Sequence, residues 1–189
     1  LRNRTLTYYI GSSLDGYIAG PGDKYDALPI EPDVSAAMNE VRPETVPTAF
    51  RELAGLADAP NRAFDTVLMG GGTYRAGDNP SPYSHLRQCV FSSTLEADAA
   101  AGVEIVASDP VAFVRGLKAE AGLGIWLCGG GKLAAALMPE IDEIIVKRYP
   151  VLFGGGISMF AGAYDPTGFT LVENRTFDSG AAVQTYRKA

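Results

Sequence analysis

The sequence predicts an α/β sandwich: a mostly parallel central sheet, closed by antiparallel strands at the C-terminus. Three observations predict it. Short apolar runs rich in β-formers alternate with segments of helical spacing along most of the chain. Three of the runs stop at glycine triplets, Gly70-Gly71-Gly72, Gly129-Gly130-Gly131 and Gly154-Gly155-Gly156. The last two runs, Phe169 to Asn174 and Ala182 to Arg187, alternate around Phe177-Asp178-Ser179-Gly180, as antiparallel strands do.

Composition bounds the reading. A chain of 189 residues fits a single domain over 1–189 with a sizeable core. Nearly half the residues are apolar and the formal net charge is −6, which predicts a globular chain and argues against nucleic acid as a partner. No apolar run approaches the roughly 18 residues of a membrane helix, so no membrane partner is expected. The opening Leu1-Arg2-Asn3-Arg4-Thr5 turns strand-like without a signal-peptide pattern. Cys89 and Cys128 each sit in an apolar strand-like run, which reads as buried thiols in a reducing compartment, and the cytoplasm is expected.

In chain order, Leu6 to Ile10 is a strand that runs into a loop, Gly11 to Gly22, where glycine and proline break regular structure. Asp15, beside Gly16 in that loop, reads equally as a functional carboxylate or as a turn residue bonding nearby N–H groups. Apolar positions from Val34 to Val41 and from Phe50 to Ala57 recur at helical spacing, and Pro43 and Pro47 divide them into two helices. Phe64 to Met69 is a buried strand ending in the first triplet, and Gln88 to Phe91 is a strand ending at Ser92-Ser93-Thr94. Those hydroxyls suit a ribose or phosphate, and equally a cap or turn. Val103 to Val106 is a further strand. Ser108-Asp109-Pro110 then starts a helix reaching about Ala121, with Val111, Val114 and Leu117 on its apolar face.

The stretch from Ile125 to Leu137 organises the chain: an apolar run, the second triplet, then a helix to Met138. Free N–H groups at a helix N-terminus collect partial positive charge, and glycine lets a pyrophosphate approach the main chain, so this is a phosphate seat or a tight turn without ligand. The literal dinucleotide fingerprint is incomplete, because Lys147-Arg148-Tyr149 stand where an acid is expected ~20 positions on. A triphosphatase loop fails as well, with Trp126 at its first glycine position and Leu133 at its Ser/Thr position. His85, the one histidine, cannot build a zinc site with cysteines so far apart, no metal is expected, and no Gly-x-Ser-x-Gly elbow occurs. What remains is a dinucleotide lying across several strand ends.

The order of motifs resembles the dihydrofolate reductase-like family, in particular the branch containing the riboflavin-biosynthesis reductase domain. The resemblance covers nearly the whole chain. It is carried by Ser13-Leu14-Asp15-Gly16-Tyr17-Ile18-Ala19, Val67 to Tyr74, Val90 to Thr94, Leu127 to Ala134, Asp142-Glu143 with Pro150 to Gly156, and Ser179-Gly180. It implies a three-layer sandwich and NADPH as hydride donor. The pyrophosphate would lie on Gly129, Gly130 and Gly131, continued by Lys132 and Leu133, and on Gly70, Gly71, Gly72 and Thr73. The adenosine end would lie near Ser92, Ser93 and Thr94. It also implies a pterin- or pyrimidine-like ring in a pocket bounded by Leu14, Asp15 and Tyr17, with Asp15 as the catalytic carboxylate.

Two positions depart from the family pattern. Gly71 stands where many relatives carry an arginine on the 2′-phosphate, and Tyr17 where the riboflavin branch carries a lysine. NADPH is therefore expected with reduced discrimination, NADH being possible, with Arg75 one turn on as a substitute and Gly71→Arg expected to raise the preference. The resemblance suggests a homodimer. The reading from another class is a dinucleotide-binding sensor or interaction module without turnover.

Overall fold

The computed structural model describes residues 3–96 and 98–189; the opening Leu1 and Arg2 lie outside the described residues. Its centre is an eight-stranded sheet. The strands are β1 (Leu6–Ser12), β3 (Phe64–Gly70), β4 (Arg87–Phe91), β5 (Val103–Val106), β6 (Gly124–Gly129), β7 (Glu143–Arg148), β9 (Phe169–Thr176) and β10 (Ala182–Lys188). They lie in the order β5-β4-β3-β6-β1-β7-β10-β9. The six strands from β5 to β7 in that order run parallel to one another, whereas β10 pairs antiparallel with both β7 and β9. A mostly parallel sheet closed by a C-terminal hairpin is thus observed.

Strand alternation sends side chains to two cores. On one face Tyr9, Val67, Met69, Val90, Trp126 and Ile145 pack under α1 (Pro32–Val41), which contributes Val34, Ala37 and Met38. On the other, Leu6, Tyr8, Leu68, Ile125, Leu127 and Ile144 pack under α4 (Pro110–Ala119) and α5 (Gly131–Leu137). Proline sets the first turn of both α1 and α4, and the Asp109 carboxylate caps α4 by accepting from the Val111 N–H at 2.9 Å. β1 is followed by a helix on one face and β6 by a helix on the other, so the crevice between these neighbours is the switch point where open α/β sheets bind ligands.

Three expectations change. The second helix of the Val34 to Ala57 stretch is only α2 (Thr48–Arg51). Phe50 and Leu53 are 59% and 89% exposed, so the helical spacing there buries nothing, and Gly55 turns away at φ 71°. The loop after β1 contains a short strand, β2 (Tyr17–Ala19), because β8 (Ile157–Ser158) arrives from far along the chain to pair with it. The helix after the first triplet, α3 (Gly71–Arg75), is a little over one turn long. Glu44, fully buried, fastens the α1–α2 region to β3 by accepting from the N–H groups of Arg62, Ala63 and Phe64 at 3.2, 2.7 and 2.7 Å.

Candidate active site

β3 and β6 are parallel neighbours that both end in glycine, and their turns stand back to back. A Cβ on Gly70 would lie 3.5 Å from the Gly130 nitrogen and 3.6 Å from the Gly129 oxygen. A cis peptide joins Gly129 to Gly130. Thr73 faces this second turn, its Oγ1 3.4 Å from a Cβ position on Gly130 and 3.7 Å from one on Gly129. The Ala134 N–H bonds the Gly130 carbonyl at 3.0 Å, which leaves the N–H groups of Gly131, Lys132 and Leu133 without an intrahelical acceptor.

The three glycines of this triplet differ. A Cβ on Gly131 would collide with the Ser158 carbonyl oxygen, and the Gly131 carbonyl accepts from the Ala161 N–H at 3.0 Å. The β8 segment thus covers the Cα of Gly131, which leaves its N–H as the group that can meet a pyrophosphate. Leu133 can act only in the same way. Its side chain belongs to the core, so only its main chain faces the turn. Lys132 is exposed.

Beside the first turn, Arg75 folds back over Gly71. A Cβ on Gly71 would stand 3.2 and 3.4 Å from the two terminal guanidinium nitrogens of Arg75 and 3.5 Å from the Ser92 Cβ. The cation thus occupies the space a side chain at Gly71 would take, next to the end of β4. Ser92 has a structural task there: its hydroxyl accepts from the N–H groups of Thr94 and Leu95 at 3.2 and 3.1 Å. Ser93 and Thr94 are exposed around this turn. The Asp23 carboxylate approaches the start of α3, 3.7 Å from a Cβ position on Gly72.

Asp15 is tied at both oxygens. The Ser13 hydroxyl donates to Oδ1 at 2.6 Å, the Phe153 N–H to Oδ1 at 3.1 Å and the Gly154 N–H to Oδ2 at 2.8 Å. Ser13 first and Phe153 next hold its carboxyl down at about 2. The main-chain donors are distant in sequence, so Asp15 ties its loop to the segment after β7 rather than only closing a local turn. Leu14 is half-exposed, with its N–H on the Val151 carbonyl at 2.8 Å. Tyr17 is partly buried on β2, opposite Ser158.

On the α1 face of the crevice stands a cluster whose members the sequence did not bring together. Cys128 immediately precedes the Gly129 turn, and burial pushes its thiol up to about 11 while the neighbouring Lys147 opposes the shift. Burial also raises Tyr83, which neighbours Cys128. Burial lowers Lys147, but Tyr9 and Tyr149 more than offset it and its ammonium titrates above the usual value. One signal was available: in a strand of period two, Lys147 shares the inward face of Ile145. His85 is a loop residue, as expected, with Nδ1 2.8 Å from the Thr48 hydroxyl and Nε2 2.8 Å from the Glu44 carbonyl oxygen. Surface cavities of about 520 and 510 Å3 lie elsewhere, one beside Thr48, Arg51 and His85, the other at the opposite strand ends beside Arg4, Arg42 and Arg187. Neither is lined by one of the glycine triplets, so the crevice is the better candidate on its chemistry.

Residues 4–183 match the RibD C-terminal domain. The chain belongs to that family. Among proteins similar to it, YwjB of Bacillus subtilis (strain 168), of uncharacterised function, is 32% identical over 192 residues, 97% of each chain. YyaP of the same organism, also uncharacterised, is 24% identical over 201 residues, covering 98% of this chain and 96% of its own. Two solved structures share the fold. A protein assigned to riboflavin biosynthesis from Shewanella sp. PV-4 superposes with a TM-score of 0.70 at 23% identity, over 98% of this chain and 99% of that one. A diaminohydroxyphosphoribosylaminopyrimidine deaminase/5-amino-6-(5-phosphoribosylamino)uracil reductase from Thermotoga maritima superposes with a TM-score of 0.68 at 16% identity. This chain spans all of itself but 57% of that larger protein. A RibD-type, dihydrofolate reductase-like fold is thereby shown. Among the described residues, no helix is long and apolar enough to cross a membrane.

Proposed function

We propose that this chain is a nicotinamide-dependent reductase that uses NADPH to reduce a small heteroaromatic ring of the pyrimidine or pterin kind. The single observation that carries the reading is the pair of glycine turns held back to back at the ends of β3 and β6, with the Arg75 guanidinium beside one of them. The residues fit a dinucleotide phosphate. Unbonded N–H groups open α5, Gly130 leaves room at its Cα and Thr73 offers a hydroxyl. Arg75 makes no ion pair among the described residues, so it is free for the 2′-phosphate in the place of the arginine that Gly71 lacks. That a protein of the same fold is a reductase of a substituted uracil supports the substrate class.

The cofactor would supply the hydride; the protein supplies position. The crevice between β1 and β6 would hold the cofactor and substrate rings, with the loop from Ser13 to Tyr17 at its edge. Asp15 fixes that loop against Phe153 and Gly154. An acid held at about 2 is ionised at neutral pH and donates no proton, so its role in this reading is positioning. Oxidation of NADPH and NADH, followed by absorbance against pterins, aminopyrimidines and flavin precursors, tests the proposal. Turnover of NADPH with at least one such ring is expected. Tight NADPH binding with no turnover on any of them would instead favour the sensor reading.

A further inference from the structure

Lys147 stands on the α1 face of the sheet, in register with Gly11 of β1 and Val183 of β10. Its Nζ lies 4.5 Å from the centroid of the Tyr9 ring, and Tyr9 favours its charged form. Cys128 and Tyr149 are its other polar neighbours. Gly11 presents no side chain in front of it, and Tyr149 Cε2 and Leu28 Cδ1 come within 3.2 and 3.3 Å of the Cβ position there. Every group named is a ring, a thiol or an aliphatic chain. No carboxylate pairs with Lys147 among the described residues. The acids on the neighbouring helix face Tyr149 instead, and Asp33 accepts from the N–H groups of Val34 and Ser179 at 2.7 and 3.0 Å.

An ammonium enclosed by aromatic rings is costly to keep without a counter-ion. This one lies partly buried at the end of β7, beside the β1–β6 crevice, where Cys128 leads directly into the Gly129 turn. A ring in that crevice would lie beside the partly buried Lys147 charge, while Tyr9 and Tyr149 stay buried around the ammonium. Resting on the reading that a heteroaromatic ring binds here, we propose that Lys147 selects a ring carrying negative charge at neutral pH, an acidic pyrimidinedione or similar enolate, by holding its ring oxygen. Neutral rings of the same shape would stack as well but leave the ammonium unpaired. The residue is thus a determinant of substrate class, binding rather than transferring the proton.

Barbiturate and uracil test this, because they are pyrimidines of nearly the same shape, one anionic and one neutral at pH 7. Each is titrated calorimetrically into the wild type, Lys147→Met and Lys147→Arg, all saturated with NADP+. The wild type is expected to bind barbiturate at least about tenfold tighter than uracil, a preference that Lys147→Met reduces to about twofold and Lys147→Arg largely retains. Equal binding of the two rings by the wild type, binding of neither, a preference that persists in Lys147→Met, or one lost as fully in Lys147→Arg, overturns the proposal. Failure of the wild type to bind NADP+ is a different result, and it removes the cofactor reading on which the proposal rests.

Discussion

Arg75 and Gly71 form one unit, because the guanidinium of the first lies where the side chain of the second would be. A charge-assisted hydrogen bond contributes about 1.5–3 kcal/mol, or roughly tenfold to a hundredfold in affinity. Arg75→Ala should therefore lower the ratio of NADH to NADPH dissociation constants by that factor; an unchanged ratio would show that another group reads the 2′-phosphate. The expectation that Gly71→Arg raises the preference is revised. With its Cβ 3.2 Å from an Arg75 nitrogen, the new arginine would compete for the same space, so the gain should emerge only in the double variant with Arg75→Ala. Asp15 gives a pH prediction. Its carboxyl titrates near 4 in an unfolded chain and at about 2 here. The folded pKa is depressed, so the loop tie stabilises the protein above pH ~4 and is lost as pH falls toward ~2. The difference in urea midpoint between wild type and Asp15→Asn should hold from pH 7 to about 4 and shrink below it. A gap that grows on acidification would contradict the assignment.

At the level of elements, the three glycine triplets look alike in sequence and do different work. The first two end strands at the crevice, whereas the third belongs to a strap: the Gly154 N–H bonds Asp15, and Gly156 passes so close to the Ala19 carbonyl that a Cβ would collide with it. β8 in the same strap presses the Ser158 carbonyl onto Gly131. The obstructing atom is backbone, so Gly131→Ala should cost about 1–3 kcal/mol of stability, as overpacking does, whereas Gly130→Ala should leave the denaturation midpoint near wild type. A Gly131→Ala midpoint equal to wild type would mean that the strap yields easily. The strands, their parallel order and the first two triplets were legible because apolar period, length and glycine are local signals. The strap was not, since Asp15 meets Gly154 across 139 residues of sequence. Nor was the site's chemistry wholly legible. Asp15 carries the family's motif, yet its hydrogen bonds are set by distant main chain, and Lys147 matters only once Tyr9 and Tyr149 are folded around it.

The whole molecule has two unlike sheet edges. β5 is short and carries Glu104, ion-paired with Arg87 at 3.1 Å. β9 pairs only with β10, is exposed from Thr170 to Thr176, and leaves Leu171 and Val172 49% and 47% accessible on its two sides. Open edges of that kind recruit a strand unless covered, and two-fold pairs are the commonest assemblies, so we propose that a second copy of this chain covers β9. Light scattering at micromolar concentration should give twice the chain mass for the wild type and a monomer for Leu171→Lys with Val172→Lys; a monomeric wild type contradicts the proposal. The central claim is that the paired glycine turns hold a dinucleotide. Its most direct measurement is a calorimetric titration of NADPH into the wild type and Gly130→Val, with thermal unfolding of both in parallel. One NADPH per chain should bind the wild type, and binding should be lost in the variant while its melting temperature stays close to wild type, because β-carbon branches there block the approach to the main chain. No binding to the wild type, or equal affinity in both, would contradict the account.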